Sequence, residues 1–330
     1  MLRFFRSSSS IVIIVVFLIG VATWAHHVLG ETTVNPSALY GAFMFRMLDG
    51  WLAGIPELQM WSGLIFFLLA AFLLIFVNNR LHLIDKISYL PALSYVLLIG
   101  GVPEIHLLNP VVIATILLIA SFIILSGSFE SEQLSYSYFF VPVLISTAMF
   151  FCQYMYVYML AVWITIVLWR PGYWREWIFS ILGFSLPLFF AFSWFYLVDD
   201  DCTRIGDLFG EIFSIQQVAP SFSIPSIVFF GLGIMAVIVT FGHMLRYLGS
   251  KKIIVRNRYH VLFLFALITI GLMVAVPGII PFAWYLLAFP MSFITANYLA
   301  TVKSIRWGAI VLSVLFAGVM AVQAIFLSTE

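Results

Sequence analysis

Charged side chains are the scarcest component of this sequence. Only 9% of its 330 residues are Asp, Glu, Lys or Arg, whereas 64% are hydrophobic and 18% are aromatic. A soluble domain carries about 25% charged residues, so this chain cannot build a water-facing surface of its own. The deficit excludes a soluble fold and indicates that most of the chain lies in lipid.

Several kinds of site are missing as well. The two cysteines and six histidines are spread along the chain and form no metal-ligand spacing such as CxxC or HExxH. A net charge of +1 gives no reason to expect nucleic acid as a partner. The sequence has no internal repeat, and its loops are too short for a soluble domain. We therefore expect a single integral membrane domain over 1–330, without a cofactor.

Long uncharged runs predict an all-α transmembrane bundle, because a helix needs about 20 apolar residues to cross a bilayer. The fifth and sixth runs, joined at Cys152-Gln153, could instead form one re-entrant pair. The eleven runs are Ile11–Gly30, Trp61–Val77, Pro91–Val102, Val111–Leu125, Tyr138–Phe151, Met155–Trp169, the run after Trp177 that ends at Val198, Ile224–Leu245, Val261–Val276, Ile280–Ala300 and Ala309–Leu327.

The N-terminal run follows Arg3 and Arg6, which is typical of a signal sequence. A cleaved signal peptide and an uncleaved signal-anchor helix both fit this pattern. The length of the run and the hydrophobic chain after it favour the signal anchor.

The distribution of charge predicts the orientation of the bundle. The stretch from Arg170 to Glu211 begins with a basic, tryptophan-flanked turn and leaves its apolar run at Asp199-Asp200-Asp201. With a cytoplasmic N-terminus and eleven alternating helices, 13 of the 15 basic residues fall in cytoplasmic segments, and 10 of the 14 acids fall outside. Bacterial membrane proteins concentrate Lys and Arg in cytoplasmic loops. The pattern therefore predicts a cytoplasmic N-terminus and a periplasmic C-terminus.

The first outer loop contains a pattern typical of a short helix in the membrane interface. Asn35-Pro36 resembles a helix start and Gly50 a helix stop, with apolar residues at helical spacing between them. Some polytopic transferases place an acidic residue on such a helix. By that analogy, Asp49 or Glu31 would be the catalytic candidate of an envelope enzyme.

The run Arg170-Pro171-Gly172-Tyr173-Trp174-Arg175-Glu176-Trp177 carries a resemblance to known proteins. With its R-P-x-x-W-R-E-W pattern the chain resembles a family of bacterial polytopic inner-membrane proteins that has no assigned function. Weaker marks of the same family are Asn78-Asn79-Arg80, Arg256-Asn257-Arg258-Tyr259, Pro290-Met291-Ser292 and Ala296-Asn297-Tyr298. The resemblance implies a Gram-negative inner-membrane location and brings no catalytic residues.

The turn at 170–177 permits two interpretations. Tryptophan and tyrosine favour the headgroup level and arginine favours lipid phosphates, so the turn could be a plain interfacial anchor. It could also bind a lipid headgroup or a partner protein, with Arg175 and Glu176 setting the local geometry. The contact residues would then be Arg170, Trp174, Arg175, Glu176 and Trp177.

The second long outer loop is acidic. A divalent cation could bind its carboxylates, since hard cations take oxygen ligands, and one of them could also act as a general base. The ligand periodicity of a calcium loop is absent, so the loop could equally serve only to orient the protein. The acidic residues are Asp199, Asp200, Asp201, Asp207 and Glu211.

Cys152 and Cys202 both fall in predicted outer segments. An oxidising periplasm would permit a disulfide between them. Two unpaired thiols are the alternative.

Three functions fit these observations. The first is a structural or accessory subunit in cell-envelope assembly, with membrane lipids and other envelope membrane proteins as partners. The second is an enzyme acting on a polyprenyl-linked sugar or lipid at the outer face. The third is a transporter, which is disfavoured because the predicted helices carry almost no ionisable residue at mid-depth.

Overall fold

The chain is described by a computed structural model. The description covers residues 2–7, 9–24, 42–52, 55–84, 88–106, 108–130, 135–170, 172–199, 210, 224–302 and 304–329. Within these ranges the chain is helical and contains no strand. The prediction of an all-α architecture is therefore confirmed for the described residues.

Thirteen α-helices lie in the described ranges. They are α1 (Leu2–Phe5), α2 (Ser10–Thr23), α3 (Phe43–Leu52), α4 (Pro56–Leu81), α5 (Leu90–Gly100), α6 (Pro110–Gly127), α7 (Ser135–Met149), α8 (Met159–Trp169), α9 (Trp174–Asp199), α10 (Ile224–Leu248), α11 (Ile253–Ala275), α12 (Ile280–Thr301) and α13 (Ile305–Thr329). Short 3-10 segments occupy Pro103–Ile105, Ser128–Glu130, Gln153–Tyr158 and Pro277–Ile279.

Seven of the described helices, namely α4, α6 and α9 to α13, are long and apolar enough to cross a membrane. Shorter apolar segments lie at α2, α5, α7 and at α8 with the 3-10 segment before it. Together these helices occupy the positions of the eleven predicted runs. The chain is a multi-pass helical membrane protein, while the number of crossings and the sides of the two termini stay predictions.

Helices α5 and α12 form the centre of the bundle. Every residue of α5 is buried, and so is α12 from Pro281 to Leu299. Both helices are apolar on all sides, as a helix surrounded by other helices must be. Close packing at the end of α5 requires Gly101, because a Cβ there would collide with the Phe229 ring of α10.

Helix α9 lies at the periphery. Only 11% of its most apolar stretch is buried, and Phe189, Phe190 and Trp194 are largely exposed. Its inner side packs on α7, where a Cβ at Gly183 would collide with the carbonyl oxygen of Phe139. We assign the exposed apolar face to lipid contact, which is ordinary for a peripheral transmembrane helix.

The predicted helix ends are wrong at three places. Helix α4 passes through Asn78-Asn79-Arg80 and ends after Leu81, where His82 adopts a left-handed φ of 46°. Helix α11 begins at Ile253, although the prediction places its start at Val261. In α3, Gly50 is helical and the helix continues to Leu52. The prediction places the polar side chains of these parts of α4 and α11 in loops, whereas Asn78, Arg258 and Tyr259 are buried in the bundle.

Candidate functional site

One end of the bundle is organised by arginines. The fully buried Arg258 of α11 donates from Nη1 to the carbonyl of Leu81 at 2.7 Å and from Nε to the carbonyl of Ser126 at 3.4 Å. These carbonyls belong to the last turns of α4 and α6. One guanidinium therefore joins the ends of two helices to the start of a third.

Arg6 holds another helix end in the same way. Its Nε donates to the carbonyl of Leu299 at 2.7 Å, and its Nη2 donates to that of Val302 at 3.1 Å. The last carbonyls of a helix lack internal partners and carry the negative end of the helix dipole, so cations are favoured there. We refer to this end, which contains Arg6, Arg170, Arg256, Arg258 and His260, as the basic end.

The turn between α4 and α5 is fixed by side chains from two of the weaker family-like segments. Asn78 accepts from the backbone N–H of Ile84 at 3.2 Å and donates to the carbonyl of Ser88 at 3.4 Å. The hydroxyl of Tyr259 donates to the carbonyl of Leu83 at 3.3 Å. Segments 78–80 and 256–259, far apart in sequence, thus meet at one turn.

The opposite end contains a broken helix whose last carbonyls bind neutral side chains. Trp284 donates from Nε1 to the carbonyl of Leu98 at 2.7 Å. Gln323 donates to that of Gly100 at 2.9 Å. We refer to the segment after α5, residues 98–109, as the broken-helix end.

Three more side chains complete the broken-helix end. The hydroxyl of Tyr285 and the amide of Asn109 each lie 3.0 Å from the carbonyl oxygen of Ile105. His106 is fully buried, with Nε2 at 3.2 Å from the carbonyl oxygen of Ile99 and its ring stacked on Trp24 at 4.3 Å. Helix α5 has 11 residues, which rise about 16 Å, roughly half of a bilayer core. Carbonyls at such a break need partners inside the protein.

The turn at 170–177 separates into an outer and an inner side. Trp174 and Arg175 are exposed, whereas the side chain of Glu176 is only 3% exposed. Glu176 Oε1 lies 3.9 Å from Nη1 of Arg170, whose guanidinium sits 5.2 Å above the Tyr173 ring. The structure therefore pairs Glu176 with Arg170. Arg175, the neighbour of Glu176 on the helix, points outward instead, because consecutive helical residues do not face each other.

The inner side of this turn is a junction of three helices. Glu176 interacts electrostatically with Tyr138 of α7, whose hydroxyl in turn interacts with Thr165 of α8 and with Ser128. Trp177 packs beside Trp163 of α8, with ring centroids 6.4 Å apart. Of the predicted contact residues, only Trp174 and Arg175 point clearly outward.

A groove of about 590 Å³ opens on the side of the bundle. Its lining is almost wholly apolar, and we refer to it as the lateral groove. Trp169 and His260, at the basic end, have near-parallel rings with centroids 6.5 Å apart. The lining residues are Leu168, Trp169, Phe241, His260, Phe263, Leu264, Ala266, Leu267, Ile270 and Met291.

The predicted acidic sites are described only in part. Asp49 lies on α3, whose first turn is docked by backbone hydrogen bonds from residues 42 and 44 to the carbonyls of Phe151 and Phe150, both 3.1 Å. Its side chain lies outside the description. Among the described residues no group of three His, Cys, Asp or Glu could hold a metal ion. Five of the acidic residues in the predicted sites lie outside the described ranges, namely Glu31, Asp200, Asp201, Asp207 and Glu211.

Cys152 lies in extended backbone between α7 and the 3-10 segment before α8. It is fully buried, and burial raises the pKa of its thiol to about 12. Cys202 lies outside the described residues, so the disulfide with Cys152 stays a prediction.

The sequence did not reveal that Arg258 binds the ends of two other helices, because a basic residue before an apolar run is normally assigned to a cytoplasmic loop. A usable signal was present. Val255, Tyr259, Leu262 and Ala266 lie at helical spacing and extend the buried stripe of α11 back into the supposed loop. That stripe would have placed Arg258 on a helix and beside the core.

No family model matches this chain, and no similar protein was found among curated proteins or solved structures. The resemblance to a family of bacterial inner-membrane proteins therefore stays a prediction.

Proposed function

We propose that the protein is a structural or accessory subunit of a cell-envelope assembly in a bacterial inner membrane. The observation that carries the proposal is how buried polar side chains are used. Arg258, Trp284, Tyr285 and Gln323 each donate to a backbone carbonyl of a distant segment, and the half-buried Arg6 does the same. Donors used in this way stabilise helix ends and leave little polar capacity for a substrate.

The envelope location is supported by the charge distribution. Basic residues concentrate in alternate segments, which is the pattern of a protein inserted in a bacterial plasma membrane. The exposed Trp174 and Arg175 supply a surface at the membrane edge where a neighbouring protein could dock. Aromatic residues and arginine are the side chains most often used as interface anchors.

A direct test is purification from native membranes in mild detergent after brief cross-linking, followed by mass spectrometry of the bound proteins. We expect one or a few envelope membrane proteins at fixed stoichiometry. A Trp174→Ala, Arg175→Ala double variant should lose them, whereas Trp194→Ala, which alters an exposed residue farther along α9, should keep them. Recovery of the chain alone from cross-linked membranes would contradict the proposal.

The enzyme hypothesis has one specific observation in its favour. A short amphipathic helix, α3, occurs in the first predicted outer loop, is docked on residues 150–151, and carries Asp49. If this helix is catalytic, Asp49→Asn should abolish turnover of a polyprenyl-linked sugar in membrane extracts, and Glu57→Gln, at an exposed carboxylate nearby, should not. The same turnover in both variants would remove Asp49 as the catalytic residue.

The transporter hypothesis has the least support. Transporters often use broken helices whose freed carbonyls bind an ion or substrate near the membrane midplane. At the broken-helix end the carbonyls of Leu98, Ile99 and Gly100 are instead contacted by Trp284, His106 and Gln323.

A further inference from the structure

One face of α11 is polar near its start and apolar farther along, a pattern that complements an amphiphilic molecule. Arg256, His260, Phe263, Leu267 and Ile270 follow each other at intervals of three or four residues and therefore lie along one side of the helix. The first two are cationic or polar, and the rest are apolar. His260, Phe263, Leu267 and Ile270 all line the lateral groove.

The groove opens toward the region that lipid occupies. Leu168 of α8 and Leu267 of α11 are 59% and 65% exposed, and they form its rim. Phe241 and Met291 form part of its lining. A volume of 590 Å³ equals about 20 times the share of one water in the liquid, roughly 30 Å³. A methylene group is of similar size, so the groove has room for one hydrocarbon chain.

The basic end supplies positive charge that can pair with an anionic headgroup attached to such a chain. Segment 246–258 contains five basic residues and no acid. Arg256 lies close enough to His260 to influence it electrostatically, and no acidic side chain pairs with Arg256 in the described part of the chain. Basic pockets between transmembrane helices at the cytoplasmic side are suited to anionic lipid headgroups.

We infer that the lateral groove binds an anionic phospholipid of the surrounding bilayer. One acyl chain lies between α8 and α11, and the phosphate lies near Arg256, beside Trp169 and His260. The second acyl chain remains in the bilayer, because the groove holds one chain and is open along its rim. This inference does not depend on the proposed accessory role.

The test uses the full chain in nanodiscs of phosphatidylcholine with a minor fraction of phosphatidylglycerol. Native mass spectrometry of the released protein measures how strongly phosphatidylglycerol is retained over phosphatidylcholine. Two variants alter the site, Arg256→Gln at the headgroup and Leu267→Trp in the groove. Their matched controls are Arg306→Gln, an exposed arginine at the start of α13, and Val274→Trp, an exposed position later on α11.

We expect the wild-type chain to retain phosphatidylglycerol preferentially and Arg256→Gln to weaken that preference about five-fold, the effect of one basic residue near an anionic surface. Leu267→Trp should displace the acyl chain and reduce retention of both lipids, and the two controls should behave as wild type. Leu267→Trp lies on the exposed rim, so it tests the groove even if Arg256→Gln fails to fold.

Three results would overturn the inference. One is no preferential retention by the wild-type chain. Another is an equal loss in Arg306→Gln, which would indicate general surface charge. The third, after purification from native membranes, is a bound isoprenyl phosphate that Leu267→Trp displaces, which would assign the groove to a different lipid.

Discussion

The two ends of the bundle satisfy helix-terminal carbonyls with different chemistry. At the basic end, Arg6 and Arg258 donate to the last turns of α4, α6 and α12. At the broken-helix end, Trp284 and Gln323 donate to the last turn of α5. Guanidinium groups hold the first set and neutral N–H groups hold the second.

Environment accounts for the difference. A guanidinium at the basic end is predicted to lie close to lipid phosphates and water, whereas a charge enclosed in the membrane interior costs about 2.5–3.5 kcal/mol even by lenient estimates. Helix α5 ends after 11 residues, and its final carbonyls are enclosed by α12 and α13. Neutral donors satisfy them without burying a charge.

The largest expected effect is at Arg258. Replacing it with methionine removes the donor to the carbonyls of Leu81 and Ser126, and each hydrogen bond from a charged group contributes about 1.5–3 kcal/mol. We expect a loss of about 4 kcal/mol in the free energy of unfolding, measured by SDS titration in mixed micelles. Arg80→Met, which alters an exposed arginine in the last turn of α4, should change it little. Equal effects would contradict a specific role for Arg258.

The comparison of the two ends can also be tested by placing a charged donor at the broken-helix end, where the structure has neutral ones. Gln323→Arg should lower the free energy of unfolding by about 3 kcal/mol, because the guanidinium would be enclosed among the helices of the bundle. Gln323→Leu removes only the hydrogen bond to Gly100 and should cost about 1 kcal/mol. Ser304→Arg, at an exposed position of the basic end, should be tolerated. If Gln323→Arg is as stable as Gln323→Leu, the broken-helix end is not a low-dielectric environment.

Replacing Trp284 with phenylalanine tests how much one neutral donor contributes at the broken-helix end. Phenylalanine keeps most of the packing but removes the N–H that the carbonyl of Leu98 accepts, so we expect a loss of about 2 kcal/mol in the same titration. Trp307→Phe, at an exposed tryptophan, is the matched control. Indistinguishable titration curves for the two variants would show that the carbonyl of Leu98 does not need this donor.

The smallest expected effect is at Arg6, which is partly exposed. Glutamine keeps a neutral donor near the end of α12, and water can replace the remaining contact, so we expect a loss of about 1 kcal/mol. Arg306→Gln at the same end should have less effect. A loss as large as that for Arg258→Met would mean that exposure does not distinguish the two arginines.

The helices could be predicted from sequence because apolar runs report directly on burial in lipid or protein. The run Ile280–Ala300 matches α12, observed at Ile280–Thr301, almost residue for residue. The central position of α12 could not be predicted, because a helix surrounded by other helices and a helix that faces lipid are equally apolar. Burial by other helices became visible only in the packing.

The polar contacts could not be predicted, because each joins residues far apart in the chain. Arg258 and Leu81 are 177 positions apart, and the acceptor is a backbone carbonyl, which leaves no trace in the sequence. Trp284 and Leu98, separated by 186 positions, form a pair of the same kind. A basic or aromatic residue near a predicted helix end can therefore be a loop residue or a buried donor, and only the fold distinguishes them.

The sidedness of the basic end is the most direct test, because the charge distribution predicts that this end lies at the cytoplasmic face and that α3 lies at the outer face. A Ser304→Cys variant marks the basic end, and a Trp51→Cys variant marks α3 in the first predicted outer loop; both positions are exposed. Each is made with Cys202→Ser and labelled in intact cells with a maleimide that cannot cross the inner membrane. We expect labelling of the Trp51→Cys variant in intact cells and of the Ser304→Cys variant only after lysis. The reverse pattern would contradict the account.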